Sequence, residues 1–493
     1  MDLLNGLVSI CQPMNLFYCF VGCLLGTLVG VLPGLGPVSA LSILLPVTMY
    51  LDPTGSIIML GGIYYGAQYG GSTTSVLVNV PGEVTSIATC FDGYAMTKQG
   101  RAGEALWIAA VGSFIAGTLG CIVVSLVGPG IAKYAVKFGP AENAGLLFFA
   151  LTTLVSLSGG SITKGFIAGI GGLVLASVGP DPMSAINRFT FGFTSLSRGL
   201  EIVPIIVGLF GIAEMLSGSK EGIGKIYEGT LGRMMPRGKE LVRGLWASLR
   251  GTLLGLPLGF FPGVSGAMVT FLAYDIEKKI SKTPERFGKG AIEGVASVEA
   301  SNNAVSQTNF IPLFSLGIPV GPSMAIILAT LMIHGLQPGP MLFIQQKQFV
   351  WTIIASMYVG NVMLLILNLP LVGLCAKIST IPYKYLAPAI LGLCVVGAYS
   401  GRSTMMDVWI ALGAGVLGYF MKKTHWPVAP LALGFVLGPM LELSIRQSVM
   451  SYGSMVFFTR PVALAFVVIA LAVTLLPFVI KKKGKAELLA EDK

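Results

Sequence analysis

Apolar runs separated by short polar loops set the rhythm of this chain. Leu106–Val127, Leu200–Leu216, Val350–Cys375 and Pro461–Ile480 are stretches of this kind. A hydrocarbon core of about 30 Å takes about 20 helical residues to cross, and these runs fit that length. Further spans are predicted near 141–158, 165–179, 300–333, 386–400, 405–421 and 427–441. The pattern predicts an all-α polytopic membrane protein with about 10–12 transmembrane segments. The N-terminus lacks a basic n-region, so no cleavable signal peptide is expected.

Two runs are interrupted by the same chemistry. GVLPGLGPVSALSILLP at 30–46 and GFFPGVSGAMVTFL at 259–272 both place Pro-Gly inside an apolar stretch. Sliding the sequence by 229 residues puts Gly22, Leu24, Leu25, Gly26, Gly30, Pro33 and Gly34 on Gly251, Leu253, Leu254, Gly255, Gly259, Pro262 and Gly263. Such breaks remove helix hydrogen bonds. In a bilayer, the freed groups survive only when buried in protein or lining a wet cavity. Two broken copies of one unit predict a structural repeat.

Composition agrees with a membrane setting: 54% of residues are hydrophobic and 11% charged. The net charge of +10 does not point to nucleic acid. The first basic residue is Lys98, and the bases then gather at 218–250, at 277–289 and in KKKGK at 481–485. The positive-inside rule makes these stretches cytoplasmic. Gly251–Tyr274 then has cytoplasmic flanks at both ends and reads as a re-entrant hairpin, each arm 10–12 residues long. The first copy has acidic flanks, Asp2 and Asp52, and is expected to enter from the opposite face. That is the inverted-repeat plan of secondary transporters. It divides the chain into a first repeat (1–217), a basic cytoplasmic linker (218–250), a second repeat (251–480) and a basic tail (481–493). Lys133, Lys137, Arg188 and Arg198 fall outside in this scheme.

Behind each hairpin lies a polar stretch in apolar surroundings. The first carries Gln68, Ser72, Thr73, Thr74 and Asn79 and ends at Pro81. The second carries Asn302, Asn303, Ser306, Gln307 and Thr308 and ends at Pro319. With the tip residues Pro33, Gly34, Gly36, Ser39, Pro262, Gly263 and Ser265, these are the candidate site and break residues. Backbone N–H groups at a half-helix start, with neutral hydroxyls and amides, suit a carboxylate. Carbonyls at a half-helix end suit Na⁺ or a proton carrier. Glu299 and Glu293 read equally well as cation ligands or as loop acids, and Glu83 and Asp92 read as members of the Lys98 loop. Small residues at helix contacts are the competing explanation for any single Gly, Ser or Thr.

Other chemistries find little support. Seven cysteines, at 11, 19, 23, 90, 121, 375 and 394, form no CxxC pair and read as small hydrophobes. His334 and His425 form no HExxH, so no metal centre is expected beyond Na⁺ at the polar cluster. PGLG is not followed by Lys-Ser/Thr, so no nucleotide site is expected. An enzyme is not predicted: PGVSG has a serine, but neither histidine has the setting of a catalytic partner. A channel for polar solutes or ions is the alternative from another class.

Several longer motifs are similar to a known family. They are GVLPGLGPVSALSILLP, IYYGAQYGGSTTSVLVNVPGE (63–83), FDGYAMTKQGRAGEAL (91–106), PERFGKGAIEGVASVEASNNAV (284–305), LGIPVGPSMAIIL (316–328), IHGLQPGPMLF (333–343) and APLALGFVLGPMLELSIRQS (429–448). Over essentially its whole length the chain resembles the large membrane subunit of the tripartite tricarboxylate transporters. The resemblance implies a multi-pass protein of the bacterial inner membrane that imports organic acids. It implies a periplasmic solute-binding protein and a small four-helix membrane subunit as partners, and an Na⁺ or H⁺ gradient as the driving force. No cofactor is implied. Val305-Ser-Gln-Thr-Asn309 is more polar than the alanine- and glycine-rich sequence that family members often have there, so a substrate other than citrate is expected.

Overall fold

The computed structural model describes residues 2–32, 35–157, 161–218, 231–369 and 383–475. Pro33, Gly34, residues 219–230 of the basic linker and the 481–493 tail lie outside the described residues. Among the described residues the chain is helical, apart from a short antiparallel ladder between Gly179–Pro180 and Asn187–Arg188. Among the described residues, five helices are long and apolar enough to cross a membrane: Pro13–Val31, Ala102–Ala135, Lys347–Asn368, Met405–Lys423 and Val428–Tyr452. Shorter apolar helices accompany them, Ile162–Ala176 and Pro322–Ile333 among others. The protein is an all-α polytopic membrane protein.

Packing divides it into two compact units. One is Met1–Lys133 with Val203–Phe420, and the other is Tyr134–Ile202 with Met421–Lys493. Each predicted repeat therefore contributes to both units.

The first unit holds both hairpins. In the first, α1 (Pro13–Val31) and α2 (Pro37–Thr48) pack on α3 (Pro53–Val78). Asp52 starts α3 by accepting from the Gly55 N–H at 2.9 Å, with Pro53 at the first helical position. Asn79 ends it in the left-handed region, φ 60°. After a short turn come α4 (Ile87–Lys98) and the long α5 (Ala102–Ala135). In the second hairpin, α6 (Lys239–Leu258) and α7 (Gly266–Ile280) pack on α8 (Ile292–Thr308). Asn309 joins α8 to α9 (Phe310–Leu316), where Pro312 cannot donate back to the preceding turn. Gly317, φ 71°, stops α9. The last helix needed below is α10 (Lys347–Asn368).

α3 and α8 are buried along nearly their whole length despite their hydroxyls and amides. Glycines make this possible. Cβ atoms placed on Gly22, Gly26 and Gly30 would lie 2.4, 2.6 and 2.3 Å from the carbonyl oxygens of Met59, Ile63 and Ala67. On Gly251 and Gly255 they would lie 2.2 and 2.5 Å from those of Ser297 and Ser301. The equivalent glycines of the two copies thus form the same close seam between a hairpin arm and a polar helix.

The second hairpin is longer than its apolar run suggests. α6 begins at Lys239, so Arg243 and Arg250 ride on a helix rather than in a linker. Its buried residues, Gly244, Ala247, Ser248, Gly251, Thr252 and Gly255, line one narrow face. The arginines fall off that face, and Arg250 pairs with Glu277 of α7, Nε to Oε2 at 2.9 Å. This ion pair ties the two arms together at their basic end.

The second unit is built from Pro140–Leu157, Ile162–Ala176 and Val428–Tyr452. Here too backbones touch: a Cβ on Gly172 would meet the Leu431 carbonyl oxygen at 2.1 Å. Arg188 and Arg446 join Asp181 and Glu442 in an ion-pair network.

Candidate binding site

The polar faces of α3 and α8 meet around two buried carboxylates. Glu83 follows the Pro81-Gly82 break, and its side chain turns back under α3, 9% exposed. The Thr85 hydroxyl donates to it at 2.5 Å and Asn302 Nδ2 at 3.3 Å. The Gln68 amide nitrogen faces the same carboxylate, donating to Oε2 at 3.0 Å and to Asn302 Oδ1 at 3.2 Å. The opposite orientation would set the amide oxygen against the carboxylate. Glu299, on α8 and 1% exposed, accepts from the hydroxyls of Ser72 and Thr89. Among the described residues, neither carboxylate has a Lys or Arg partner within 4 Å.

Helix breaks border the Glu83 group. Gly36, at the start of α2, lies against Glu83, with a Cβ there falling 4.0 Å from that of Glu83. Gly266, the first residue of α7, lies against Thr85 and Asn302. The hairpin tip is held by Gly263, φ 84°, whose N–H donates to the Val320 carbonyl in the Pro319 break at 3.3 Å. Asn309 fastens the α8–α9 junction, accepting from Tyr64 Oη at 2.8 Å and donating to the Gly259 carbonyl at 3.0 Å.

Not every candidate from the sequence joins this cluster. Gln68, Ser72 and Asn302 do, and Asn303 adjoins it, donating to Ser113 Oγ at 2.7 Å and to the Glu299 carbonyl at 3.2 Å. Thr73 lines a small cavity beside Ser72. Thr74, Ser306 and Thr308 bond to carbonyls of their own helices. Gln307 turns to Cys121, 3.8 Å away. Ser39 turns to Glu214 at 3.4 Å. Asn79 and Ser265 are exposed and serve their helices as C-cap and N-cap. Pro81, Pro262 and Pro319 lie in breaks between helices, as expected. Pro33 and Gly34 fall outside the described residues.

The largest departures from the sequence reading are Glu83 and Asp92, neither of which lies in the Lys98 loop: Glu83 is in the buried turn before α4. Asp92 is on α4 and 1% exposed. It accepts from the N–H groups of Gly290 and Ala291, both at 2.8 Å, and from Tyr274 Oη at 2.9 Å. It thereby holds the start of α8. Glu293, by contrast, lies near Arg243 and Arg286 at the basic end. Thr85, Thr89 and Ser113 also enter the cluster unannounced. Their positions on α4, α5 and the turn before α4 have no polar periodicity of their own.

An all-helical membrane protein with paired hairpins and buried, uncompensated carboxylates among neutral donors has the makeup of a transporter's membrane subunit rather than of an enzyme. Residues 16–433 match the tripartite tricarboxylate transporter TctA family, and the chain belongs to it. It is 44% identical to an uncharacterized 52.8 kDa protein in the TAR-I ttuC′ 3′ region of Agrobacterium vitis, over 98% of this chain and 99% of that protein. It is also 44% identical to an uncharacterized protein in the TAR-II ttuC′ 3′ region of the same organism, over 47% of this chain and 98% of the relative. No solved structure matches the chain. Family membership makes this a multi-pass inner-membrane subunit of a tripartite transporter, a system that works with further subunits.

Proposed function

We propose that this subunit imports carboxylates by ion-coupled transport. In this reading a periplasmic solute-binding protein delivers the solute, and a small four-helix membrane subunit completes the assembly. Glu83 and Glu299 carry the reading, buried with only hydroxyl and amide donors within reach.

An ionised carboxylate buried without a counter-cation costs several kcal/mol. A carboxylate substrate about 4 Å from ionised Glu83 would add repulsion of about 4 kcal/mol at an effective dielectric constant of 20. That is roughly a thousandfold in affinity. Substrate and a positive charge therefore enter together: the cation or proton neutralises the resident carboxylate, and Asn302, Thr85 and the first amides of α7 are free to hold the solute. This is the requirement of symport. It gains support from the matching glycine seams of the two hairpins. Opposed orientation of the two hairpin repeats would bring both tips to the site.

Proteoliposomes holding the assembled membrane subunits, supplied with the binding protein and a labelled carboxylate, test the proposal. The wild type is expected to accumulate label uphill under an ion gradient and to exchange it without one. Glu83→Gln and Glu299→Gln should exchange but no longer accumulate. Uphill accumulation at wild-type level in both variants would refute ion coupling through these carboxylates. Non-saturating flux that only runs downhill would point to a channel instead.

A further inference from the structure

We infer that Na⁺ binds in a small cavity between α3, α5 and α10, one hydroxyl away from Glu299. The inference rests on the carrier reading above and names its coupling ion and that ion's ligands. The cavity measures about 10 Å³, the space of one water or one dehydrated small cation. Tyr69, Ser72 and Thr73 line it from α3, Ser113 from α5 and Asn368 from α10, and apolar α5 side chains close the remaining side.

Independent evidence for a ligand comes from two orphaned oxygens. Asn368 is 5% exposed and Asn303 fully buried, and the Oδ1 of each lacks a hydrogen-bond donor among the described residues. Their nitrogens are engaged: Asn368 Nδ2 donates to the Leu364 carbonyl at 2.9 Å, and Asn303 Nδ2 to Ser113 Oγ at 2.7 Å. A buried acceptor left unpaired is costly, and both of these belong to or adjoin one cavity wall.

The bonding around the cavity distinguishes a cation from a water. Three of the four hydroxyls of the wall already direct their protons elsewhere. Ser72 donates to Glu299, Tyr69 to Asn361 Oδ1 at 3.1 Å, and Ser113 to the Glu299 carbonyl at 3.4 Å. What remains facing inward is lone pairs, apart from the Thr73 hydroxyl proton. A water there would find acceptors for its protons but few donors for its own oxygen. A cation needs only the lone pairs. The donors are all oxygen, the choice of a hard cation. A single carboxylate behind one of them, Glu299, suits one positive charge rather than two.

The test is the Na⁺ concentration that half-activates uptake by the reconstituted complex, at saturating substrate and constant membrane potential. Wild-type uptake is expected to require Na⁺, with K⁺ unable to replace it. Asn368→Ala should raise the half-activating Na⁺ concentration about ten- to hundredfold and leave the substrate constant at saturating Na⁺ unchanged. Asn368→Asp keeps an oxygen at the wall and adds a negative charge that a bound Na⁺ neutralises, so its half-activating Na⁺ concentration should be at or below that of wild type, although it loses the donor to Leu364. Equal damage in both variants would mean that the amide merely holds the helix, and would overturn the inference. If Asn368→Ala fails to reach the membrane, Thr73→Val, of similar shape and without the hydroxyl, should show the same rise in Na⁺ requirement. An unchanged Na⁺ constant in these variants would overturn it as well. Uphill uptake driven by a proton gradient with no response to Na⁺ would remove the Na⁺ site and leave the carrier reading standing. Absence of uphill uptake under any ion gradient would remove the carrier reading itself.

Discussion

Gly30→Ala should cut transport at least tenfold without removing the protein from the membrane. The added Cβ would lie 2.3 Å from the Ala67 carbonyl oxygen, which belongs to the rigid backbone of α3. A carbon–oxygen contact settles at about 3.3 Å or more, so α1 and α3 must separate locally by about 1 Å. Gln68 is the next residue along α3, and Ser72 follows one turn later. Their bonds to Glu83 at 3.0 Å and to Glu299 at 2.5 Å have no slack for such a shift. Overpacking costs about 1–3 kcal/mol, and loss of one bond to a carboxylate costs about 1.5–3 kcal/mol. Uptake should therefore fall at least tenfold. Initial uptake rates in whole cells, normalised to the amount of protein in isolated membranes, measure this. Gly413→Ala is the control. It lies within the helix Met405–Lys423, and a Cβ there meets nothing within 4 Å. Alanine in an open helical position is favoured over glycine by up to about 1 kcal/mol, so this variant should transport normally. Wild-type uptake by Gly30→Ala, or an equal loss in Gly413→Ala, would refute the argument from the seam.

Two further outcomes are expected. Asp92→Ala strands the N–H groups of Gly290 and Ala291 and the Tyr274 hydroxyl; it should lower stability by at least about 2 kcal/mol, seen as a lower melting temperature, with Asp92→Asn losing less. In the second unit, the N–H groups of Ser184 and Met183, together with Arg446, hold the Asp181 carboxyl below the usual carboxylate range. Its contribution to stability is therefore present above about pH 4 and lost as pH falls through the lowered value, so the melting temperatures of wild type and Asp181→Asn should differ at neutral pH and converge in acid.

Much of this architecture was legible because it rests on local rules. Apolar run length announces the spans, Pro-Gly inside a run announces the hairpins, and recurrence of Gly22, Gly26 and Gly30 at Gly251, Gly255 and Gly259 announces the shared seam. What the site residues do was less legible. Ser72, Asn302 and Asn303 look the same in sequence as Thr74, Ser306 and Thr308, but only the first three point across to another helix. Which hydroxyl turns inward is decided by the packing of α3 on α8 and not by its neighbours in sequence. Glu83 and Asp92 mislead for a related reason. Each lies within 20 residues of the first basic loop, and nothing local reveals that the chain folds them back into the interior. The start of α6 was hidden because its arginines resemble a linker until the small residues between them are seen to share one face.

The interleaving of the two compact units bears on how this protein is made. Gly172 needs the backbone at Leu431, Gly434 and Phe435 beside it, and those residues emerge some 260 positions later. At roughly 5–20 residues per second, Pro140–Leu157 and Ile162–Ala176 wait roughly ten to fifty seconds in the bilayer before Val428–Tyr452 arrives. Throughout that interval their glycine faces are open to whatever helix passes. Biogenesis of the second unit is thus the stage at which a membrane insertase or chaperone would matter most, and at which a slow or truncated nascent chain would be most exposed to degradation.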